Sequence, residues 1–199
     1  MSASHRHPTK PRPARGFVVF RFTVYALLLL DVGLYARHGR PTELLDTAAW
    51  CVLLALFECE IGGWHLPARA ARWLHALRWG AMVAIGVAVV GYAVEREWMD
   101  FGNEMTWLAV VALIEVEMRL PRGAHRLHRL RRLASAVGYL VLVGFLLAWA
   151  VQGVRGVDPR AAWLDAWDAL LWLVAFWTIE LNVFGLERTG HPSRSGHGR

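Results

Sequence analysis

The stretch from Glu43 to Glu60 reads ELLDTAAWCVLLALFECE, an apolar run with acids at both ends and a tryptophan between them. The arrangement returns from Asp100 to Glu117 as DFGNEMTWLAVVALIEVE and from Asp165 to Asn182 as DAWDALLWLVAFWTIELN. Superposed on their central tryptophans, the first copy supplies Glu43, Asp46, Trp50, Glu58 and Glu60, and the second supplies Asp100, Asn103, Trp107, Glu115 and Glu117. The third supplies Asp165, Asp168, Trp172, Glu180 and Asn182 at the same spacing. The offset of 57 residues between the first two copies also carries Arg21 onto Arg78 and Tyr35 onto Tyr92, so the apolar segment before each acidic one belongs to the repeat. The third copy has an eight-residue insertion between its two segments. The chain therefore reads as three helical hairpins, one supersecondary unit used three times, and membrane repeats of this kind often meet at a site.

Composition places the hairpins in a bilayer. Of 199 residues 56% are apolar, 11 are Trp and only 19% are charged, less charge than a soluble domain of this size carries. Six apolar segments, Phe17 to Tyr35, Thr42 to Trp64, Trp73 to Val94, Trp98 to Leu120, Leu133 to Val151 and Ala162 to Phe184, each approach the ~20 residues a span needs. The expected fold class is an all-α integral membrane protein. It is a six-span helical bundle, a single domain over residues 16–186 with hairpins at about 17–66, 73–120 and 132–186. The first, third and fifth segments are cleanly apolar, whereas the others carry acids at both ends, which leaves a four-span alternative.

Seventeen Lys and Arg residues flank one face, among them Arg21, Arg78 and those from Arg119 to Arg132, against five on the other: Arg37, Arg40, Arg96, Arg155 and Arg160. The positive-inside rule then places both termini in the cytoplasm. An Ala- and Arg-rich composition with a single Lys fits a GC-rich bacterial genome, and hence a bacterial inner membrane. The tails, 1–15 and 187–199, are rich in Pro, Ser, Gly, His and Arg and are expected to be disordered. The basic start followed by an apolar run has the outline of a signal peptide, but its length and the interruptions at Arg21 and Asp31 mark it as the first span.

Helical geometry puts Glu43, Asp46, Trp50 and Glu60 within an arc of roughly 100°, with Glu58 further round. Asp46 to Glu58 covers only about 18 Å of helix against a hydrocarbon core of about 30 Å. At least one acid per acidic helix therefore lies inside the apolar slab, where charge costs several kcal/mol unless paired or wet, and these faces are expected to point into the bundle. Small residues at Gly80, Ala84 and Ala88 would permit close helix approach.

The acids admit two readings. In one, Glu43, Asp100 and Asp165 gather cations at an outer mouth, the glutamates form an inner ring, and Trp50, Trp107 and Trp172 make the constriction of a proton or cation pathway, with Asp46, Asn103, Asp168 and Asn182 in the same polar network. In the other, the acids are struts paired with arginines, Arg21 with Glu58 and Glu60, Arg78 with Glu115 and Glu117, and Arg132 with Glu180, in a scaffold or accessory subunit.

The segment from Arg119 to Arg132 has arginines at every third position, but Pro121, Gly123, His125 and His128 make it too polar to span, and it reads as a juxtamembrane segment on anionic lipid headgroups. The basic excess reflects membrane orientation, which argues against a nucleic-acid partner. Cys51 and Cys59 lie about 12 Å apart along a helix, too far to bridge. No HExxH, GxSxG, P-loop or CxxC occurs, no histidine pair is opposed across spans, and each Glu-x-Glu pair points apart, so neither catalysis, a metal nor a cofactor is expected. The lipid bilayer is the expected partner, with a homo-oligomer or partner subunit left open.

Overall fold

The computed structural model describes residues 15–61, 67–119 and 125–188. These form six helices, α1 (Arg15–His38), α2 (Pro41–Ile61), α3 (Ala68–Glu95), α4 (Trp98–Arg119), α5 (His125–Arg155) and α6 (Pro159–Arg188), with no strand among the described residues. Three stretches, Val18–His38 in α1, Ala70–Glu95 in α3 and His125–Arg155 in α5, are long and apolar enough to cross a membrane, and they mark a membrane protein. Of the expected disordered tails, residues 1–14 and 189–199 lie outside the described residues, while Arg15 opens α1 and Glu187 and Arg188 close α6.

The helices close into a ring. Each packs against its two neighbours in sequence, and α6 returns to α1. Bulky apolar side chains on the outside belong mostly to α1, α3 and α5, among them Phe22, Leu29, Val83, Val87, Leu140 and Leu147. The core gathers Trp50, Trp107, Leu171 and Trp172 from α2, α4 and α6 with Leu28, Ile85 and Leu142 from the other three. Buried positions fall at matching places along the apolar helices: Leu28, Ile85 and Leu142 at one level, and Tyr35, Tyr92 and Trp149 two turns further on. The small-residue stripe behaves unevenly, since Ala88 is fully buried but Gly80 faces open space. Close approach occurs at several interfaces: a side chain at Gly102 would strike Phe145 and one at Gly138 would strike Val110 between α4 and α5, one at Gly91 would strike Thr42 between α3 and α2, and one at Gly153 would strike Trp163 between α5 and α6.

The connections at one end are short turns. Arg96 closes α3 in a left-handed conformation (φ 63°), with Glu97 N–H donating to the Tyr92 carbonyl at 2.9 Å, and Gly156 (φ 75°) ends α5 in the same way. Pro41 and Pro159 each occupy the first position of their helices, where a missing N–H costs nothing. The eight-residue insertion of the third hairpin enlarges this turn by a single residue and otherwise lengthens the end of α5 and the start of α6 by about one turn each. At the other end α5 begins at His125, so residues 125–132 form its first turns, and the helix is about 46 Å long.

Candidate functional site

Glu43 has a local reason to stand where it does. It is the third residue of α2, and its Oε2 accepts the Arg40 backbone N–H at 2.8 Å, half of a capping box at the helix start. The Arg40 side chain then draws acids from three places. Its Nε donates to Glu43 Oε1 at 2.6 Å, its terminal nitrogens reach Asp100 Oδ2 at 2.6 Å and Glu97 Oε1 at 2.5 Å, and Glu95 lies at 3.6 Å. Burial pulls the Arg40 guanidinium down, but Glu43 and then Asp100 more than offset this, and its pKa is raised above the ordinary arginine value. Thr42 donates to Glu95 beside it. Of the expected outer ring, Glu43 and Asp100 therefore share one arginine, and Asp165 accepts the Tyr35 hydroxyl at 3.0 Å.

One turn deeper the chemistry changes. The Tyr92 hydroxyl donates to Asp46 Oδ2 at 3.0 Å, and Trp50 Nε1 donates to Glu104 Oε1 at 3.0 Å. Asp46 and Glu104 line one cavity across the α2–α4 gap, and Asp31 of α1 neighbours Asp168 of α6. Asp31 is fully buried and Glu104 is 2% exposed. Among the described residues no arginine or lysine pairs with any of these four acids. Two carboxylates offer acceptors and no donor, so each carboxyl–carboxyl contact needs one proton between its partners. Without it both oxygens of Asp31 and the Oδ1 atoms of Asp46 and Asp168 are buried with no donor. A cavity of about 20 Å³, room for one water-sized species, lies between the pairs and is lined by Asp46, Thr47, Asn103, Glu104, Asp168 and the three tryptophans.

No protein-family model, curated protein or solved structure matches this chain.

The tryptophans bound the polar layer. Trp50 and Trp172 meet edge to face at 6.2 Å between centroids, and Phe176 sits among all three, 4.6 Å from Trp107, 6.4 Å from Trp50 and 6.3 Å from Trp172. Four rings thus fill the axis between α2, α4 and α6. Phe176 was outside the expected constriction because it is not a repeated position.

Beyond the rings, toward the chain termini, the expected inner ring of glutamates is not assembled among the described residues. Glu58 accepts the Tyr25 hydroxyl at 2.5 Å and pairs with Arg21 at 3.2 Å. Glu115 turns to Arg119 on its own helix at 2.5 Å. The side chains of Glu117, Glu180 and Asn182 lie outside the described residues. Arg78, expected opposite Glu115 and Glu117, pairs with Glu60 at 2.6 Å and not with Glu115, because α3 packs more closely on α2 than on α4; the Glu117 half of that expectation lies outside the described residues. Arg132, expected opposite Glu180, is exposed, and the buried arginine of α5 is Arg131, on the helix face that also carries buried Ser135.

The residues that reading by repeats passes over are Asp31, Glu104 and Arg40. Each carboxyl pair joins one repeated acid, Asp46 or Asp168, to one unrepeated acid, Glu104 or Asp31. Glu104 falls in register with Thr47 and Ala169, and Asp31 with Ala88 and Phe145, so matching copies removes both. The signal that marks Asp31 is simply an acid within an otherwise apolar span.

Proposed function

We propose that the chain is a six-span bundle of three helical hairpins that passes protons along the axis ringed by α2, α4 and α6, with Asp31, Asp168, Asp46 and Glu104 as the groups that take up and release them. The observation that carries this reading is the layer of buried carboxyl pairs without arginine partners beside a cavity of one-water size. Acids are kept at such depth at a cost of several kcal/mol, and proton relays in pumps and transporters are where that cost recurs. The ring of Trp50, Trp107, Trp172 and Phe176 is the constriction, and Arg40 with its acids caps the opposite mouth. In this reading the chain lies in a bacterial inner membrane with both termini cytoplasmic, so the Arg40 mouth faces outward.

A second reading, a scaffold or accessory membrane subunit, is favoured by the Arg21–Glu58 and Arg78–Glu60 pairs, which tie neighbouring helices together and move nothing. Proton flux into liposomes holding the purified full-length chain separates the two. Asp168→Asn and Glu104→Gln keep side-chain shape and remove the shared proton, and each is expected to lower flux by roughly 100-fold, the lower range for a positioned proton-transfer group. Glu58→Gln is expected to leave flux near the parent value. A parent chain that carries no protons above protein-free liposomes sinks the pathway and leaves the scaffold.

A further inference from the structure

At the end of the bundle that holds the chain termini, Arg21, Arg78 and Arg119 are each held by a glutamate: Glu58, Glu60 and Glu115. The first turns of α5 differ. Arg126 and Arg129 are exposed there, and among the described residues no ion pair holds either of them. They stand three positions apart, near enough on a helix surface for both to reach one phosphate group. At 100° per residue they share an arc of roughly 100° with Leu130, Leu133, Val137 and Leu140. Each of those four is more than half exposed. One outward face of α5 is thus cationic at its start and apolar below.

The change falls at a definite depth. The stretch from Leu133 to Gln152 carries no Asp, Glu, Lys, Arg or His and measures about 30 Å of helix, the thickness of a hydrocarbon core. Seated there, it puts Arg129 about 6 Å beyond the core, within the headgroup layer, and Arg126 about 10 Å beyond, at that layer's outer edge. A water-soluble polyanion would meet the arginines and leave the apolar half of the face unused. A zwitterionic lipid would meet the apolar half but bring its own cation to the arginines. An amphiphile with a net negative head matches both halves. We propose that this face of α5 binds an anionic phospholipid, its phosphate held by Arg126 and Arg129 and an acyl chain laid along Leu133, Val137 and Leu140. The face lies outside the ring, away from the acids of the axis, so the site stands whether or not the axis carries protons.

The test is thermal unfolding of the full chain in detergent micelles with increasing fractions of phosphatidylglycerol, or of phosphatidylcholine with the same oleoyl chains. Glycerophosphoglycerol, the headgroup without chains, is the third titrant. A ligand that binds only the folded state raises the midpoint in a saturable way. Phosphatidylglycerol is expected to saturate at a mole fraction roughly 25-fold below any effect of phosphatidylcholine, about fivefold for each arginine. Glycerophosphoglycerol is expected to show no saturable effect. Substituting Arg126→Gln and Arg129→Gln together is expected to bring the two lipids level. Arg129→Gln alone is expected to weaken phosphatidylglycerol about fivefold, the readout that remains if the double variant does not fold. Arg155→Gln removes an equal charge from an exposed position at the other end of α5 and is expected to leave the parent values. Equal responses to the two lipids, or a folded double variant that keeps the preference, overturn the site. So does saturation by glycerophosphoglycerol at the same concentration, which would assign the arginines to a free phosphodiester. A loss in Arg155→Gln as large as that in Arg129→Gln would reduce the effect to net charge and overturn it too.

Discussion

Asp46 and Glu58 stand about three turns apart on the same helix, α2, and belong to the same repeated pattern. Asp46 is buried, takes its hydrogen bond from a tyrosine and shares a cavity with Glu104. Glu58 is one-fifth exposed and holds Arg21 at 3.2 Å. Depth separates them. Near the end of the bundle an arginine can keep its head in water while its stem covers apolar surface, so a pair there needs little desolvation. In the buried layer one turn below the Arg40 mouth the same pair would bury two ions, and the chain uses neutral donors and a second carboxyl in its place. Charge compensation near the ends ties neighbouring helices together, and the buried layer holds its acids with neutral donors.

The contrast depends on the aromatic layer that keeps the two environments apart. Trp107→Ala removes the ring that stacks on Phe176, and a cavity of that size is expected to cost about 3 kcal/mol or more. The expected readout is a lower unfolding midpoint in micelles together with faster proton leak in liposomes. Loss of stability with unchanged leak would show that the rings pack the core without gating it.

Arg40 is the exception that sharpens the rule, since it brings cationic compensation to the mouth of the acidic layer. Arg40→Gln leaves Glu43 and Asp100 facing one another with no counter-charge. With the arginine about one-third exposed, the expected loss is about 2 kcal/mol, below the sum of its individual charged hydrogen bonds. Adding Asp100→Asn to Arg40→Gln is expected to restore part of that loss. A second substitution that adds its own penalty would mean the arginine stabilises by packing.

How far these layers are legible in the chain follows from what each depends on. The helices of the apolar spans are legible because length and hydropathy act locally: α1, α3 and α5 need no knowledge of their neighbours. Glu43 and Trp50 are legible as repeated positions, since one is set by a helix start and the other by the axis every copy faces. Asp31 and Glu104 are not, because their roles come from a partner on another helix and no other copy carries them. The partner of Arg78 is hidden for the same kind of reason. A long side chain at the end of α3 can reach either neighbouring helix, and packing density selects α2. Repetition displays what the copies share, and here the carboxyl pairs arise where they differ.

The pairs at the terminal end grade further. Glu58→Gln leaves Arg21 beside a neutral amide in a half-buried setting and is expected to cost about 1 kcal/mol. Double substitution with Arg21→Gln in a mutant cycle reads the coupling directly, and a value near zero would show that the Tyr25 hydroxyl alone holds Glu58.

Glu115→Gln should do least. Its arginine, Arg119, is four residues on along the same helix and about four-fifths exposed, and Glu115 itself is half exposed. An exposed pair at that spacing contributes about 0.3–0.5 kcal/mol and weakens with salt. Glu115 occupies the same repeated position as Glu58, so the two substitutions compare one register position under different burial, partner helix and hydrogen bonding, since only Glu58 also accepts the Tyr25 hydroxyl. A midpoint shift for Glu115→Gln as large as that for Glu58→Gln, persisting at high salt, would mean that the repeated position itself is stabilising whatever its partner. A smaller shift that salt removes assigns the difference to depth, the same variable that divides the arginine pairs from the carboxyl pairs.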